Sequence, residues 1–358
     1  MAGLKMLLDP TRMGTEAETL EGNLRQRIVG QDSAIRQIVD VYQTFLAGMS
    51  APGRPIGNFL FLGPTGSGKT HTVEALAESL TGDGRAVIKI DCAEYQHGHE
   101  IAKLIGSPPG YLGHKETHAL LSQEALDQHY TEKVKVSFVL FDEIEKASDS
   151  LWNLLLGILD KATLTLGDNR RVDFSRSMIF LTSNLGAAEM DAILRPRLGF
   201  RIHDALVPPA TLPPATQAGR LDSAGTEAAR RRFSPEFMNR IDRTVVFNPL
   251  GRDELQRILT LEMETVSRRI RLATGAAAIE CCLSDDARDL LLAEGTDARY
   301  GARHLKRAIE RLLVQPVSNL IASGQLQTGD SLTVECDTRV KRLIFAKETP
   351  TVVGSAAA

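Results

Sequence analysis

Eight consecutive residues, Gly63-Pro64-Thr65-Gly66-Ser67-Gly68-Lys69-Thr70, have the glycine, lysine and hydroxyl spacing of a phosphate-binding loop. Pro64, Thr65, Gly66, Ser67 and Gly68 would form the cradle. Glycine permits the tight curl that turns successive backbone N–H groups toward phosphate oxygens. Lys69 would reach the β- and γ-phosphates of a nucleoside triphosphate, and the Thr70 hydroxyl would ligate Mg²⁺. An apolar run, Asn58 to Leu62, precedes the loop, and a helix-forming run, Thr70 to Leu80, follows it. Strand, loop and helix thus come in the order the chemistry requires, with the positive end of the helix dipole at the phosphates.

A second group of candidates follows other apolar runs. Val139-Leu140-Phe141 ends in Asp142 and Glu143. At a strand terminus Asp142 can reach the Mg²⁺ held by Thr70, and Glu143 can polarise a water for attack on the γ-phosphate. Two adjacent acids alone would as readily be a solvated turn; the phosphate loop decides for the metal. Asn184, in Thr182-Ser183-Asn184, could hold the attacking water or sense the γ-phosphate, or could belong to a polar turn. Arg240, in Asn239-Arg240-Ile241-Asp242, is a candidate for stabilising transition-state charge, and Arg303, in Gly301-Ala302-Arg303, for reading nucleotide from the helical unit, with ordinary surface arginines as the alternative.

The elements that must position these residues show in the hydropathy pattern. Short apolar strands are predicted at Asn58–Leu62, Ala86–Ile90, Ser137–Phe141, Met178–Thr182 and Thr244–Phe247, separated by helical segments. That alternation predicts an α/β fold, a five-stranded parallel sheet covered by helices on both faces. An amphipathic helix is expected from Asp32 to Gly48. Residues 1–24 are expected to be a flexible segment, 25–249 the large α/β domain, 250–347 a small, mainly helical domain with two closing strands, and 348–358 a tail. Residues 201–230, with Pro208, Pro209, Pro213 and Pro214, read as a flexible loop.

Bulk properties narrow the classes. The 358 residues have a net charge of −3, which disfavours nucleic acid as the partner of a basic surface. There is no apolar run long enough for a membrane span, and the N-terminus is too weakly apolar for a secretory signal. The four cysteines, Cys92, Cys281, Cys282 and Cys336, form no C-x-x-C pair and suit a reducing cytoplasm. His97 and His99 near Cys92 read as a polar loop, and Arg230-Arg231-Arg232 as a solvated helix start.

From about residue 25 to 347 the chain resembles the second ATPase module of the Clp family of AAA+ unfoldases. The resemblance rests on Ile28-Val29-Gly30-Gln31, the phosphate loop, Ile90 to Tyr95, Gly106 to Gly113, Val139 to Lys146, Val172-Asp173-Phe174, Thr182 to Gly186, Phe233 to Asp242, and Tyr300 to Arg303. It implies an AAA+ P-loop ATPase fold whose helical C-terminal domain is a lid. Val29 is implied to line the adenine pocket, Asn184 to be a first sensor and Arg303 a second. Arg240 is implied to be an arginine finger acting on ATP of the neighbouring subunit, which requires a ring, in this family a homo-hexamer. Tyr111 and Leu112 would lie on a pore loop gripping unfolded or aggregated protein. The implied function is an ATP-dependent unfoldase or remodelling chaperone of the cytoplasm.

The chain also departs from that family. Members usually carry two ATPase modules, a substrate-binding N-terminal domain and often a coiled-coil middle domain; here one module is seen. His114-Lys115-Glu116-Thr117-His118 makes the expected pore rim more basic. Leu198-Gly199-Phe200 resembles the tripeptide by which some members dock a barrel-shaped peptidase, and is also an ordinary turn. The alternative function is a nucleotide-switched assembly factor that binds a partner without threading it; a DNA-remodelling motor would need a basic channel.

Overall fold

The computed structural model describes residues 8–107, 119–194, 214–274, 279–296 and 301–348. In chain order the first unit contains α1 (Thr15–Arg27), α2 (Asp32–Leu46), β1 (Gly57–Leu62), α3 (Lys69–Thr81), β2 (Ile88–Asp91), the short α4 (Ala102–Ile105) and α5 (Gln123–Asp127), and β3 (Ser137–Asp142). It continues with α6 (Asp149–Lys161), β4 (Thr163–Thr165), β5 (Arg171–Asp173), β6 (Ser177–Ser183), α7 (Ala187–Leu194), α8 (Pro214–Arg232), α9 (Pro235–Met238) and β7 (Arg243–Val246). The second unit, from Pro249, contains α10 (Arg252–Thr274), β8 (Glu280–Leu283), α11 (Asp285–Gly295), α12 (Ala302–Ile309), α13 (Gln315–Ala322), β9 (Ser331–Asp337) and β10 (Arg342–Glu348).

The five strands of the first unit form one sheet in the order β2-β3-β6-β1-β7. Every pairing in it is parallel, with Phe59 opposite both Phe180 and Arg243. β1 and β6 are buried along their whole length, which is why they read as unbroken apolar runs and not as alternating ones. Their side chains still alternate between two cores. Leu60, Leu62, Val139, Phe141, Ile179 and Leu181 join α6 on one face. Phe59, Phe61, Phe138, Leu140 and Phe180 join α1, α2 and α3 on the other. On that second face Phe59 stacks on Phe180 with ring centroids 5.0 Å apart, and Phe61 meets Phe247 at 4.9 Å. Truncating a buried ring of this kind generally costs about 3–5 kcal/mol.

Two expectations are corrected here. Part of the segment read as flexible, 1–24, is α1, with Ala17, Leu20 and Leu24 buried. Three small or aliphatic residues spaced i, i+3, i+7 are too thin a stripe to register in a polar sequence, but they suffice once α2 and α3 supply the opposing face. Part of the segment read as a loop, 201–230, is α8. Pro214 opens it, where a missing N–H costs nothing. Its alanines favour helix, and Leu221 and Ala229 pack into the core beside Met190 of α7. Residues 201–213 lie outside the described residues.

The second unit has its own core around Leu259, Leu291, Leu305, Leu313 and Val334. Its sheet has three strands, in the order β10-β9-β8, and not the two expected. β8 (Glu280-Cys281-Cys282-Leu283) is short and only partly buried, so it carries little hydropathic signal. α12 runs on into α13, to Ala322, through a π-turn at Glu310–Val314. Pro316 explains that turn: it cannot donate to the carbonyl one turn earlier, and a widened turn relieves the clash of its ring. All four cysteines are free thiols, and burial pushes the Cys92 thiol far up and that of Cys281 to about 11. No described helix is long and apolar enough to cross a membrane.

Candidate nucleotide site

The phosphate loop leaves the C-terminal end of β1, where parallel α/β sheets bind ligands. Gly63 has φ 138°, and a Cβ there would lie 2.5 Å from the Phe247 carbonyl oxygen. Gly66 and Gly68 have φ 77° and 101°, a region that side chains disfavour. We therefore expect Gly63→Ala to destabilise the first unit by about 1–3 kcal/mol and to weaken nucleotide binding. A thermal melt with and without ATP checks both.

Lys69 opens α3 and is largely buried. Its ammonium donates to the carbonyls of Gly63 at 2.6 Å and Pro64 at 3.0 Å, and to Asn184 Oδ1 at 2.9 Å. A buried ammonium needs such partners, and this set holds it at the mouth of the loop.

Asp142 and Glu143 close β3. The Thr70 hydroxyl lies 3.4 Å from Asp142 Oδ2. The Thr182 hydroxyl donates to Asp142 Oδ1 and accepts from the Glu143 N–H at 3.1 Å. Thr70 and Asp142 are two hard oxygen donors facing each other, a set that fits Mg²⁺ completed by water and phosphate oxygens. Glu143 is in the left-handed region at φ 55°, which is rare for a residue with a side chain. Its carboxylate pairs with Lys146 Nζ and lies 3.4 Å from Asn184 Nδ2. The hydrogen bond to that carboxylate raises the Lys146 pKa above its ordinary value.

Asn184, just past β6, joins the two halves of the site. Its Oδ1 accepts from Lys69 and its Nδ2 donates toward Glu143, while its N–H donates to Glu145 Oε1 at 3.1 Å. The ends of β1, β3 and β6 thus converge on one spot, bringing together Lys69, Thr70, Asp142, Glu143 and Asn184. Val29 is buried, between α1 and α2. Beside it Gln31 makes a two-way amide clasp with the backbone of Asn248, at 2.9 and 3.0 Å.

Arg240 is not part of this cluster. Its backbone lies beside Asn58, four residues before Leu62, so about 13 Å of strand separates it from the loop. Its guanidinium contacts the Glu236 carbonyl at 2.9 Å, the Glu236 carboxylate at 3.2 Å and Asp160 at 3.8 Å. Arg303 is exposed in the first turn of α12, in the second unit. Tyr111, Leu112 and Leu198-Gly199-Phe200 lie outside the described residues. The sequence reading missed Thr182, Lys146, Glu145 and Gln31. Only Lys146, one helical turn after Glu143, gave a usable spacing signal.

The family described as "AAA domain (Cdc48 subfamily)" matches residues 54–244, more than half of the chain. The chain belongs to the AAA domain family. The description "C-terminal, D2-small domain, of ClpB protein" matches residues 250–334 of this AAA protein, consistent with a Clp-family ATPase built from a sheet domain and a small domain. The chain is 39% identical over 321 residues to the Chaperone protein ClpB of Bdellovibrio bacteriovorus, covering 89% of this chain and 34% of that protein. It is 36% identical over 349 residues to the ATP-dependent Clp protease ATP-binding subunit ClpC of Staphylococcus aureus, covering 94% of this chain and 39% of that one. This AAA chain therefore spans little more than a third of the length of either relative. Among solved structures it resembles Hsp104 in a closed state with ATPγS and FITC casein, at a TM-score of 0.73 and 28% identity, over 92% of this chain and 52% of that one.

Proposed function

We propose that this chain is an ATP-hydrolysing motor module that remodels or unfolds proteins. The observation that carries the reading is the convergence of Lys69, Thr70, Asp142, Glu143 and Asn184 at the ends of three parallel strands. Lys69 and the loop N–H groups hold the triphosphate. Bound through Thr70 and Asp142, Mg²⁺ would offset phosphate charge. Glu143 takes the proton of the attacking water, and Asn184, tied to both Lys69 and Glu143, orients it. Arg240 lies beside the start of β1, too far from the loop at its other end to serve it, which favours action on the nucleotide of a neighbouring copy. Arg303 would sense nucleotide from the small domain, and Val29 would contact adenine.

Such a trans-acting arginine calls for a ring, and we assign a homo-hexamer with Tyr111 and Leu112 facing a central pore. The relatives are named as a chaperone and as the ATP-binding subunit of a protease. Unfolded or aggregated protein is accordingly the substrate class, and Leu198-Gly199-Phe200 the place where a separate peptidase would dock. The free cysteines suit a cytoplasmic setting.

The test is ATP-driven loss of fluorescence from a tagged fluorescent protein. We expect the full chain to unfold it, and Tyr111→Ala to keep ATP hydrolysis while abolishing unfolding. Hydrolysis by the wild type with no unfolding of any tagged substrate would overturn threading in favour of a nucleotide-switched assembly factor.

A further inference from the structure

Asn58 is a polar residue in the middle of an apolar sheet. It lies on β1 between β6 and β7 and is fully buried. Amides are disfavoured in central strands, and buried ones persist only where their hydrogen bonds are made. Asn58 Nδ2 donates to two carbonyls, those of Leu159 on α6 and of Arg240, each at 3.0 Å. Two acceptors facing the same atom settle which end of the amide is nitrogen. The other end, Oδ1, is buried and has no hydrogen-bond partner among the described residues. An unsatisfied atom of this kind calls for an explanation, and the two donated bonds provide one.

The backbone repeats the connection. The Asn58 N–H donates to Asp242 Oδ2 at 2.8 Å, and the Asp242 N–H donates to the Asn58 carbonyl at 2.9 Å. Arg54 adds a longer bond to the Arg240 carbonyl, at 3.4 Å, and an ion pair with Asp242 at 3.3 Å. Residues 240–242 are therefore clamped to the start of the strand whose other end is the phosphate loop. Beyond the clamp, among the described residues, the Arg240 guanidinium is held by Glu236 and, more loosely, Asp160, and its Nε has no hydrogen-bond partner there.

We propose that Asn58 is a positioning residue for Arg240: by pinning the Arg240 carbonyl to β1, it makes the strand that ends in one subunit's phosphate loop also set the guanidinium offered to the next subunit. The proposal rests on the trans-acting role assigned to Arg240 above. It adds a physical link between a subunit's own nucleotide loop and the help it gives its neighbour. No movement is required; a misplaced guanidinium stabilises the transition state poorly even when all other groups stand correctly.

The test is Asn58→Leu in the full chain, which keeps volume and removes both donors. We expect kcat for ATP to fall roughly 10–100-fold with nucleotide affinity unchanged. The decisive measurement mixes Asn58→Leu subunits with Glu143→Gln subunits. The first have an intact own site and a poorly held finger, and the second the reverse. Mixed rings should hydrolyse faster than either variant alone, because Arg240 of Glu143→Gln subunits serves the sites of Asn58→Leu subunits. Absence of that gain, or a loss of nucleotide affinity parallel to kcat, would mean that Asn58 only supports its own loop and would overturn the proposal. If Asn58→Leu does not fold, Asn58→Ser, which keeps one donor, should show a smaller fall in kcat and the same gain on mixing. Arg240→Ala separates the layers. If it hydrolyses normally, the finger reading itself fails; if it is inactive while Asn58→Leu is normal, only the present inference fails.

Discussion

Arg240→Ala is expected to lower the turnover number of the assembled protein by roughly 10³–10⁵-fold, the usual worth of an arginine finger, with ATP binding left intact. The guanidinium lies against α9 and α6, away from its own phosphate loop, so its removal leaves every group around Lys69 in place. The loss should therefore fall on kcat and not on the affinity of an isolated subunit. Fold stability should change little. The Arg240 side chain keeps about a fifth of its surface exposed (22%), its ion pairs are at 3.2 and 3.8 Å, and partly exposed pairs contribute little. Steady-state hydrolysis, nucleotide titration and a thermal melt of the same variant check the three parts. A variant that hydrolyses at the wild-type rate would remove Arg240 from the reaction.

Glu143→Gln is expected to reduce hydrolysis by about 10²–10⁴-fold, the contribution of a positioned general base, while ATP and the assembled state persist. The substitution is nearly isosteric. The Gln carbonyl oxygen can still accept from one of Lys146 and Asn184, the two groups that orient Glu143, while its NH2 end replaces the oxygen that faced the other. The backbone cost of φ 55° is the same for either side chain, so the geometry of the loop should survive. What is lost is the capacity to take a proton. Single-turnover hydrolysis should be slow with normal binding. A variant that also loses ATP binding would show that the carboxylate holds nucleotide and does not act as the base. Asn184→Ala is a weaker probe of the same chemistry, because it would disturb Lys69 and Glu143 together and so blend binding with rate.

Much of the site was legible because its chemistry demands particular residue types at short range. A phosphate loop needs glycine where φ is positive, a lysine at the helix start and a hydroxyl next to it, and all lie within eight residues. Asp142 and Glu143 were legible because a buried strand ends abruptly in two acids. The parallel sheet was legible because strands buried on both faces must be apolar throughout. α1 and α8 were not, since each is stabilised by what packs on it more than by its own pattern.

By itself, the amino-acid order determined the nucleotide loop, the two acids and the five strands, because each is set by interactions among neighbours in the chain. Only the tertiary structure decided that Asn184 would join Lys69 to Glu143, that Thr182 would orient Asp142, and that Asn58 would hold Arg240. Those pairs are separated by 115, 40 and 182 positions. They meet because the strand order β2-β3-β6-β1-β7 sets β6 between the two strands that carry the loop and the acids, and lays the end of α9 against the start of β1. No local spacing encodes that order: it follows from which buried faces pack together, a property of the whole sheet and both of its cores.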